Sequence, residues 1–321
     1  MRNKFSLSAD YYRKDISGLL FTPTLSLYLG TAAAPTANIG TTETRGVDLN
    51  LGYNTSIGKN WKLNTYVTFT TATNLVTETN NGLIEGGYYG IPSQSVTRFE
   101  KGFTPGYFFG YRTNGLFQNE TDIKGSAVQP GAKPGDIRFV DVNNDGVISP
   151  LDRTKIGDPF PDFTMGWGFN LEYKGFDFTT FIYASVGNDI YRAYERNLAM
   201  TNKYRGVLGR WTGEGSTNDA RNPRYTFVDD NQNTRASDRY LEDGSFIKMK
   251  DLQLGYTIPK NVLSKYKITR VRVYAQVKNA FVLTEYSGFD PEISGGIFET
   301  GMDRGIYPQA RTFSVGLDLK F

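Results

Sequence analysis

The chain has 321 residues and contains neither cysteine nor histidine. The first absence excludes disulfides and thiolate metal sites; the second removes the commonest general base and metal ligand. Most kinds of enzyme centre are therefore excluded. No apolar run approaches the roughly 18 residues that a membrane-spanning helix needs, and the opening MRNKFSLSAD has no apolar core of the kind a secretory signal carries. Lys and Arg together exceed Asp and Glu only by 36 to 33, a net charge of +3, so no basic surface points to nucleic acid. A soluble β-protein and a membrane β-barrel are left.

What the sequence does have is aromatic residues, 14% of the whole, set in segments that alternate with a period of two. In FTMGWGFNLEY, Phe163, Met165, Trp167, Phe169, Leu171 and Tyr173 share one face, opposite Thr164, Gly166, Gly168, Asn170 and Glu172. RGVDLNLGY, WKLNTYVTF, DLQLGYTIP, RVRVYAQVK and RTFSVGLDLKF repeat the pattern. A soluble sandwich alternates too, but these segments run for about 10 residues, the span of a tilted transmembrane strand, and end in Trp, Tyr or Phe as an interfacial girdle does. Eight strands are expected, near 4–22, 43–53, 61–73, 163–173, 176–185, 246–257, 271–280 and 311–321. Long connections (23–42, 74–162, 186–245, 281–310) alternate with short ones, NTSIGKN, KG and IPKNVLSKYKITR, the last suggesting a small helix in NVLSKY. That rhythm is the one of barrels with long extracellular loops and short periplasmic turns, which puts both chain ends on the periplasmic side. The apolar face is expected on a single side of one antiparallel, meandering sheet. The other face carries very small residues: Ser6, Ser8, Gly52, Gly166, Gly168, Gly255, Ser314 and Gly316. Glycine in a strand often marks the close approach of another backbone.

Within the longest connection stands DVNNDGVISPLD, residues 141–152. Its spacing is that of an EF-hand calcium loop without the flanking helices: Asp141, Asn143 and Asp145 offer side-chain oxygens, Val147 its carbonyl, Asp152 a closing carboxylate, and Gly146 the sharp turn. Calcium would staple the loop; an Asx-turn with no ion is the competing reading. Tyr88, Tyr89, Tyr107 and Phe109 could offer aromatic platforms, and Trp211 a sugar-stacking ring, against plain loop packing. Asp229-Asp230 reads as a solvated turn rather than a glycosidase pair, and no catalytic constellation emerges.

Several stretches carry a family resemblance: NIGTTETRGVDLNL, GYFFGYRTNGLFQN, the long run from Pro134 to Phe178, LEDGSFIKMKDLQLGYTIP and VYAQVKNAFVLTEYSGFDPEI. In them the chain resembles the C-terminal barrel portion of a SusC/RagA-type TonB-dependent outer-membrane transporter. Thr44 and Asp48 depart mildly from the family pattern, where Asn and Glu are commoner. The resemblance implies an all-β antiparallel transmembrane barrel segment, residues 1–321, forming an arc of a larger barrel of about 22 strands, with 135–162 as a calcium-type loop. It implies an outer-membrane importer of oligosaccharides or peptides, not an enzyme. The implied partners are a SusD-like lipoprotein, the TonB complex reached through a missing N-terminal part, outer-membrane lipid, and an assembly machinery for which Phe321 would be the recognition signal. Family members are roughly three times as long and carry a plug and a signal peptide, so the chain is expected to be a fragment not competent alone. The alternative is a soluble or surface-attached β-rich calcium-binding adhesion module.

Overall fold

A computed structural model describes residues 4–21, 36–58, 60–79, 82–90, 93–195, 203–263 and 268–321. Eight long strands build one sheet: β1 (Phe5–Phe21), β2 (Ala37–Ile57), β3 (Trp61–Thr79), β4 (Phe163–Tyr173), β5 (Phe176–Val186), β6 (Phe246–Thr257), β7 (Arg270–Thr284) and β8 (Thr312–Lys320). They follow one another in space as in sequence, each antiparallel to the next. β1 and β8 are the two edges, so the sheet is an open arc rather than a closed barrel.

All eight expected strands are present. Those of the first hairpins are longer than the alternation indicates, with 17, 21 and 19 residues in β1, β2 and β3. The apolar pattern lapses in ANIGTTETRG, but backbone pairing continues through it, from Gly40↔Thr79 to Gly46↔Ala72. The ladder needs backbone donors and acceptors, not apolar side chains.

Register decides which side chains share a face, because directly paired residues project to the same side. One row runs Phe5–Tyr53–Thr65–Phe169–Thr180–Leu252–Val277–Phe313 across the whole sheet. A second, two rungs nearer the short turns, runs Ile57–Trp61–Tyr173–Phe176–Tyr256–Val273–Leu317. Trp167 lies two residues from Phe169, so it shares the face of Leu317, as the alternation predicts. In the second row Trp61 stacks on Tyr173 at 4.0 Å between ring centroids, and Phe176 lies 4.5 Å from Tyr256. Among the described residues no segment covers the face: Leu7, Phe313 and Val315 are 73%, 73% and 83% exposed. Phe321, just past β8, is exposed as well.

The short turns are tight. Lys174 and Gly175 make a two-residue hairpin with φ of 47° and 90°, the positive-φ pair of the turn that best matches strand twist. Gly58 begins the β2–β3 turn, and Lys260–Leu263 form a small helix that overlaps the one anticipated in NVLSKY, residues 261–266. Residues 264–266 of that stretch lie outside the described residues.

The polar face corrects the reading of its small residues. The neighbours that crowd these glycines are side chains of the next strand rather than a foreign backbone. A Cβ on Gly168 would run into the ring of Tyr66, its register partner, and one on Gly316 into the ring of Tyr274. A tyrosine laid flat across the sheet occupies the space the glycine leaves, covering backbone that would otherwise stand open. A Cβ on Gly52 would meet Ser6, and one on Gly255 the Arg272–Asp177 pair, bonded at 2.5 Å.

Gly168→Val should therefore force Tyr66 off the sheet and cost about 1–3 kcal/mol as an overpacked site. This is read as a lower temperature for loss of the compact band on an unboiled gel. The drop should shrink when Gly168→Val is combined with Tyr66→Ala.

Candidate functional site

Above the sheet, at the end opposite the short turns, the long connections fold on one another. Residues 82–90 and 93–162 contribute strands Ile84–Tyr89, Gln94–Phe99, Tyr107–Gly110 and Thr154–Gly157, paired in that order. Residues 187–195, 203–245 and 285–311 add the short strands Asp189–Arg192, Leu241–Asp243 and Met302–Asp303. The buried core of the chain lies here rather than in the long sheet. Tyr89, Val96, Phe108, Tyr191, Ala236, Tyr240 and Met302 form one cluster, drawn from three of the long connections. The Tyr89 ring meets Tyr191 and Tyr240 edge-on at 5.6 and 5.1 Å. A second cluster centres on Leu116, Ile137 and Phe139. A third joins Val76 at the top of β3 to Ile84 and Phe99.

Polar side chains pin these layers together. Asp136, fully buried, accepts from Arg224 Nε at 2.7 Å and Nη2 at 3.2 Å, and from Asn233 Nδ2 at 2.9 Å. Lys248 of β6 donates to Asp290 at 3.2 Å and Glu292 at 3.0 Å, fastening the last long connection to the sheet. Tyr286 donates to Asp303 at 2.6 Å; burial, and then the carboxylate itself, push its pKa far above the ordinary phenol value. The Arg98 guanidinium lies 3.3 Å from the centre of the Phe109 ring, with Arg153 4.8 Å away.

The aromatic residues singled out from sequence are distributed unevenly. Tyr89 and Tyr107 are buried: Tyr89 donates to the Glu195 carbonyl at 2.6 Å and Tyr107 to Glu100 at 2.5 Å. Phe109 is held beside the two arginines. Trp211 packs on the second core, covers Gly135 and donates to Gln118 at 3.2 Å. Tyr88 alone of the five is an exposed ring.

Loop 141–152 closes on its own backbone. Asp141 accepts from the N–H of Gly146 at 2.8 Å, Asn143 Oδ1 from Asp145 at 3.0 Å, and Asp145 from Val147 at 2.9 Å. Asn144 and Gly146 take φ of 59° and 84°, a bend that favours Asn and Gly. Asp152, fully buried, accepts from Val142 at 2.9 Å and Ser149 at 2.7 Å and meets the side chain of Asp141. Burial pushes its pKa up, but the backbone donors Ser149, Val142 and Asn143 outweigh burial and hold the carboxyl below its ordinary range. Among the described residues no three acidic side chains gather as a metal cage.

The long connections also enclose a cavity of about 510 Å³ lined by Arg192, Arg210, Arg221, Arg224, Arg239 and Lys203, with Tyr225 and Phe227 beside them. No sequence motif marks it. Its lining comes from residues 192–195, 203–242 and Ser287, and isolated arginines in a loop look like any solvated surface until the chain brings them together.

Residues 2–145 match the family model described as "TonB dependent receptor-like, beta-barrel". TonB-dependent receptor P3 of Formosa agariphila is 31% identical over 99% of this chain and 32% of its own length. The chain belongs to the TonB-dependent receptors. TonB-dependent receptor SusC of Bacteroides thetaiotaomicron is 27% identical over 90% of the chain and 27% of its own length. A solved structure of the RagAB peptide transporter superposes on 99% of the chain and 34% of its own with a TM-score of 0.76 at 22% identity, a likeness of fold. The eight-stranded sheet is thus an arc of receptor barrel wall, from a family of receptors and transporters rather than of enzymes. The chain spans about a third of the length of the curated relatives it matches. The matches give no support to an adhesion module.

Asp152→Ala should strip the N–H groups of Val142 and Ser149 of their acceptor and cost about 1–3 kcal/mol locally, seen as faster amide exchange over 141–152. The folded-state pKa of Asp152 is depressed, so its contribution is fully present above the ordinary carboxylate pKa. It should be lost only as pH falls through the lower folded value.

Proposed function

We propose that this chain is wall and outer loops of an outer-membrane importer that takes up oligosaccharides or peptides together with a SusD-like surface lipoprotein, using energy relayed by TonB. The observation that carries the reading is the uncovered apolar face of the sheet. Eight strands present Phe5 through Phe313 to one side with no other described segment packed over them, and lipid is the medium that such a face fits. The row from Trp61 to Tyr256 then lies at the periplasmic interface and the cored connections face outward. The relative SusC is named a TonB-dependent receptor and the structure alike in fold is of a peptide transporter; neither name chooses between sugar and peptide as the cargo of this chain. Because the chain spans a third of its relatives' length, transport belongs to a complete receptor, whose further strands would pair with the edges of β1 and β8.

Calcium in loop 141–152 is part of the same proposal. Asp141, Asn143, Asp145, the Val147 carbonyl and Asp152 would hold it, and its role would be to staple the loop. The spacing and the meeting of Asp141 with Asp152 favour it, whereas the backbone donors already on each carboxylate compete with it. Calorimetric titration of the complete receptor with calcium should give heat that Asp145→Ala abolishes; equal heats from the two proteins would reject the ion.

Two substitutions on neighbouring residues of β6 test the membrane reading. Leu252 shares the apolar face and Gln253 the polar one. Leu252→Arg should cost about 2–4 kcal/mol and deplete folded receptor from the outer-membrane fraction, while Gln253→Arg should leave the fraction near wild type. Equal tolerance of both would exclude lipid on that face.

A further inference from the structure

The arginine-lined cavity has no part in the wall, the hydrogen-bonded loop or the cores. Its floor holds Arg192 and Arg239, with side chains 13% and 8% exposed. Arg192 Nε lies 2.9 Å from Glu242. Arg239 donates to Glu195 at 3.2 Å and to the Asn233 carbonyl at 3.1 Å, and its Nε–H is buried with no hydrogen-bond partner. Arg224 is clamped by Asp136 on one side. At the rim, Arg221 pairs with Asp219 at 3.0 Å and is more than half exposed. Arg210 has a single weak contact, to the Val207 carbonyl at 3.5 Å, and no carboxylate partner among the described residues. Six cations line the space with three carboxylates, Glu195, Asp229 and Glu242, and Asp136 and Asp219 pair with Arg224 and Arg221 from outside the lining. Beside the rim the rings of Tyr225 and Phe227 meet edge-on at 5.9 Å, both exposed.

We propose that this cavity binds an anionic sugar unit of the incoming oligomer, with Arg210 and Arg221 taking its carboxylate or sulfate and Tyr225 and Phe227 its ring face. The inference rests on the importer reading and narrows its cargo. A guanidinium offers a planar fork of donors matched to a carboxylate or sulfate edge. The floor arginines are neutralised and held in place by their acids, which leaves Arg210 as a lining guanidinium with no carboxylate partner among the described residues, and a cavity of this volume admits a small oligomer. An acidic peptide would satisfy the arginines but brings amides that need a strand to pair with, and the nearby edge strand Leu241–Asp243 has only three residues. Exposed rings with the amide and hydroxyl groups of Asn222, Thr226 and Ser287 suit the CH face and hydroxyls of a pyranose better.

The complete receptor, purified in detergent, is titrated calorimetrically with tetragalacturonate, a sulfated galactose tetramer, an uncharged galactose tetramer and tetraglutamate. One anionic sugar should bind best, weakening as salt rises, and which one binds tells carboxylate from sulfate. Arg210→Gln should lose about tenfold or more in affinity, the worth of a charge-assisted hydrogen bond, with Arg210→Lys between it and wild type. Binding of the uncharged tetramer should be unchanged in both variants. The proposal is overturned if the uncharged tetramer or tetraglutamate binds as tightly as the anionic sugars, if Arg210→Gln binds them like wild type, or if none of the probes binds. Fractionation separates this from the parent reading. A receptor absent from the outer membrane defeats the importer itself, whereas one that is present there and binds independently of Arg210 defeats only the cavity assignment.

Discussion

Among the described residues, nothing lies against the apolar face of the eight-stranded sheet. Its strands alternate between that face and a polar one, so they cannot bury side chains against each other; they can only hydrogen-bond edge to edge. Such a sheet is stable where the medium itself is apolar and the ladder satisfies the backbone. The aromatic row from Trp61 through Tyr173 and Phe176 to Tyr256, and the tight Lys174-Gly175 turn just beyond it, follow from that constraint. So does the need for further strands at β1 and β8, whose outer edges carry unpaired N–H and C=O groups.

The same constraint explains where the core is. Residues that would fill the interior of a soluble protein stand exposed on the wall, and the buried clusters around Tyr191, Ile137 and Phe99 are built from the connections. A connection as long as 80–162 does not remain ordered without an interior of its own. Here three connections share one, and the upper parts of β1 to β3 continue past the apolar zone to meet it through Leu19, Phe21 and Val76. With no cysteine in the chain, buried ions take the place that cross-links would have. Asp136 with Arg224, and Lys248 with Asp290 and Glu292, join segments far apart in sequence. Each is costly to desolvate and more costly to break, so they specify one arrangement of the loops more than they add stability.

That arrangement also produces the arginine-lined cavity. Arg192 and Arg239 are fixed by Glu242 and Glu195, and Arg221 is paired with Asp219, whereas Arg210 at the rim has no carboxylate partner among the described residues. Rigid ion pairs below keep the shape of the cavity while the rim guanidinium can turn to an anion. The calcium-type loop stands apart from this cavity, and its carboxylates are directed to backbone N–H groups.

By itself, the sequence determined the wall. A period of two is a local property, visible in FTMGWGFNLEY or TFSVGLDLK without knowing any partner, and the contrast of long and short connections ordered the strands into a meander. The resemblance carried in the run from Pro134 to Phe178 pointed to the family, which the matches along the chain bear out. Only the tertiary structure decided what fills the polar face and where the loops bury their rings. Gly168 and Gly316 looked like room for another backbone, but register sets Tyr66 and Tyr274 over them, and register depends on the whole ladder. Tyr89 and Tyr107 could be read from sequence as ligand platforms or as loop packing, and strands from separate connections closing over them decide for packing. The cavity left no trace in the sequence, because its arginines come from segments that are neighbours only after the loops have packed, and charge acquires a function from what surrounds it.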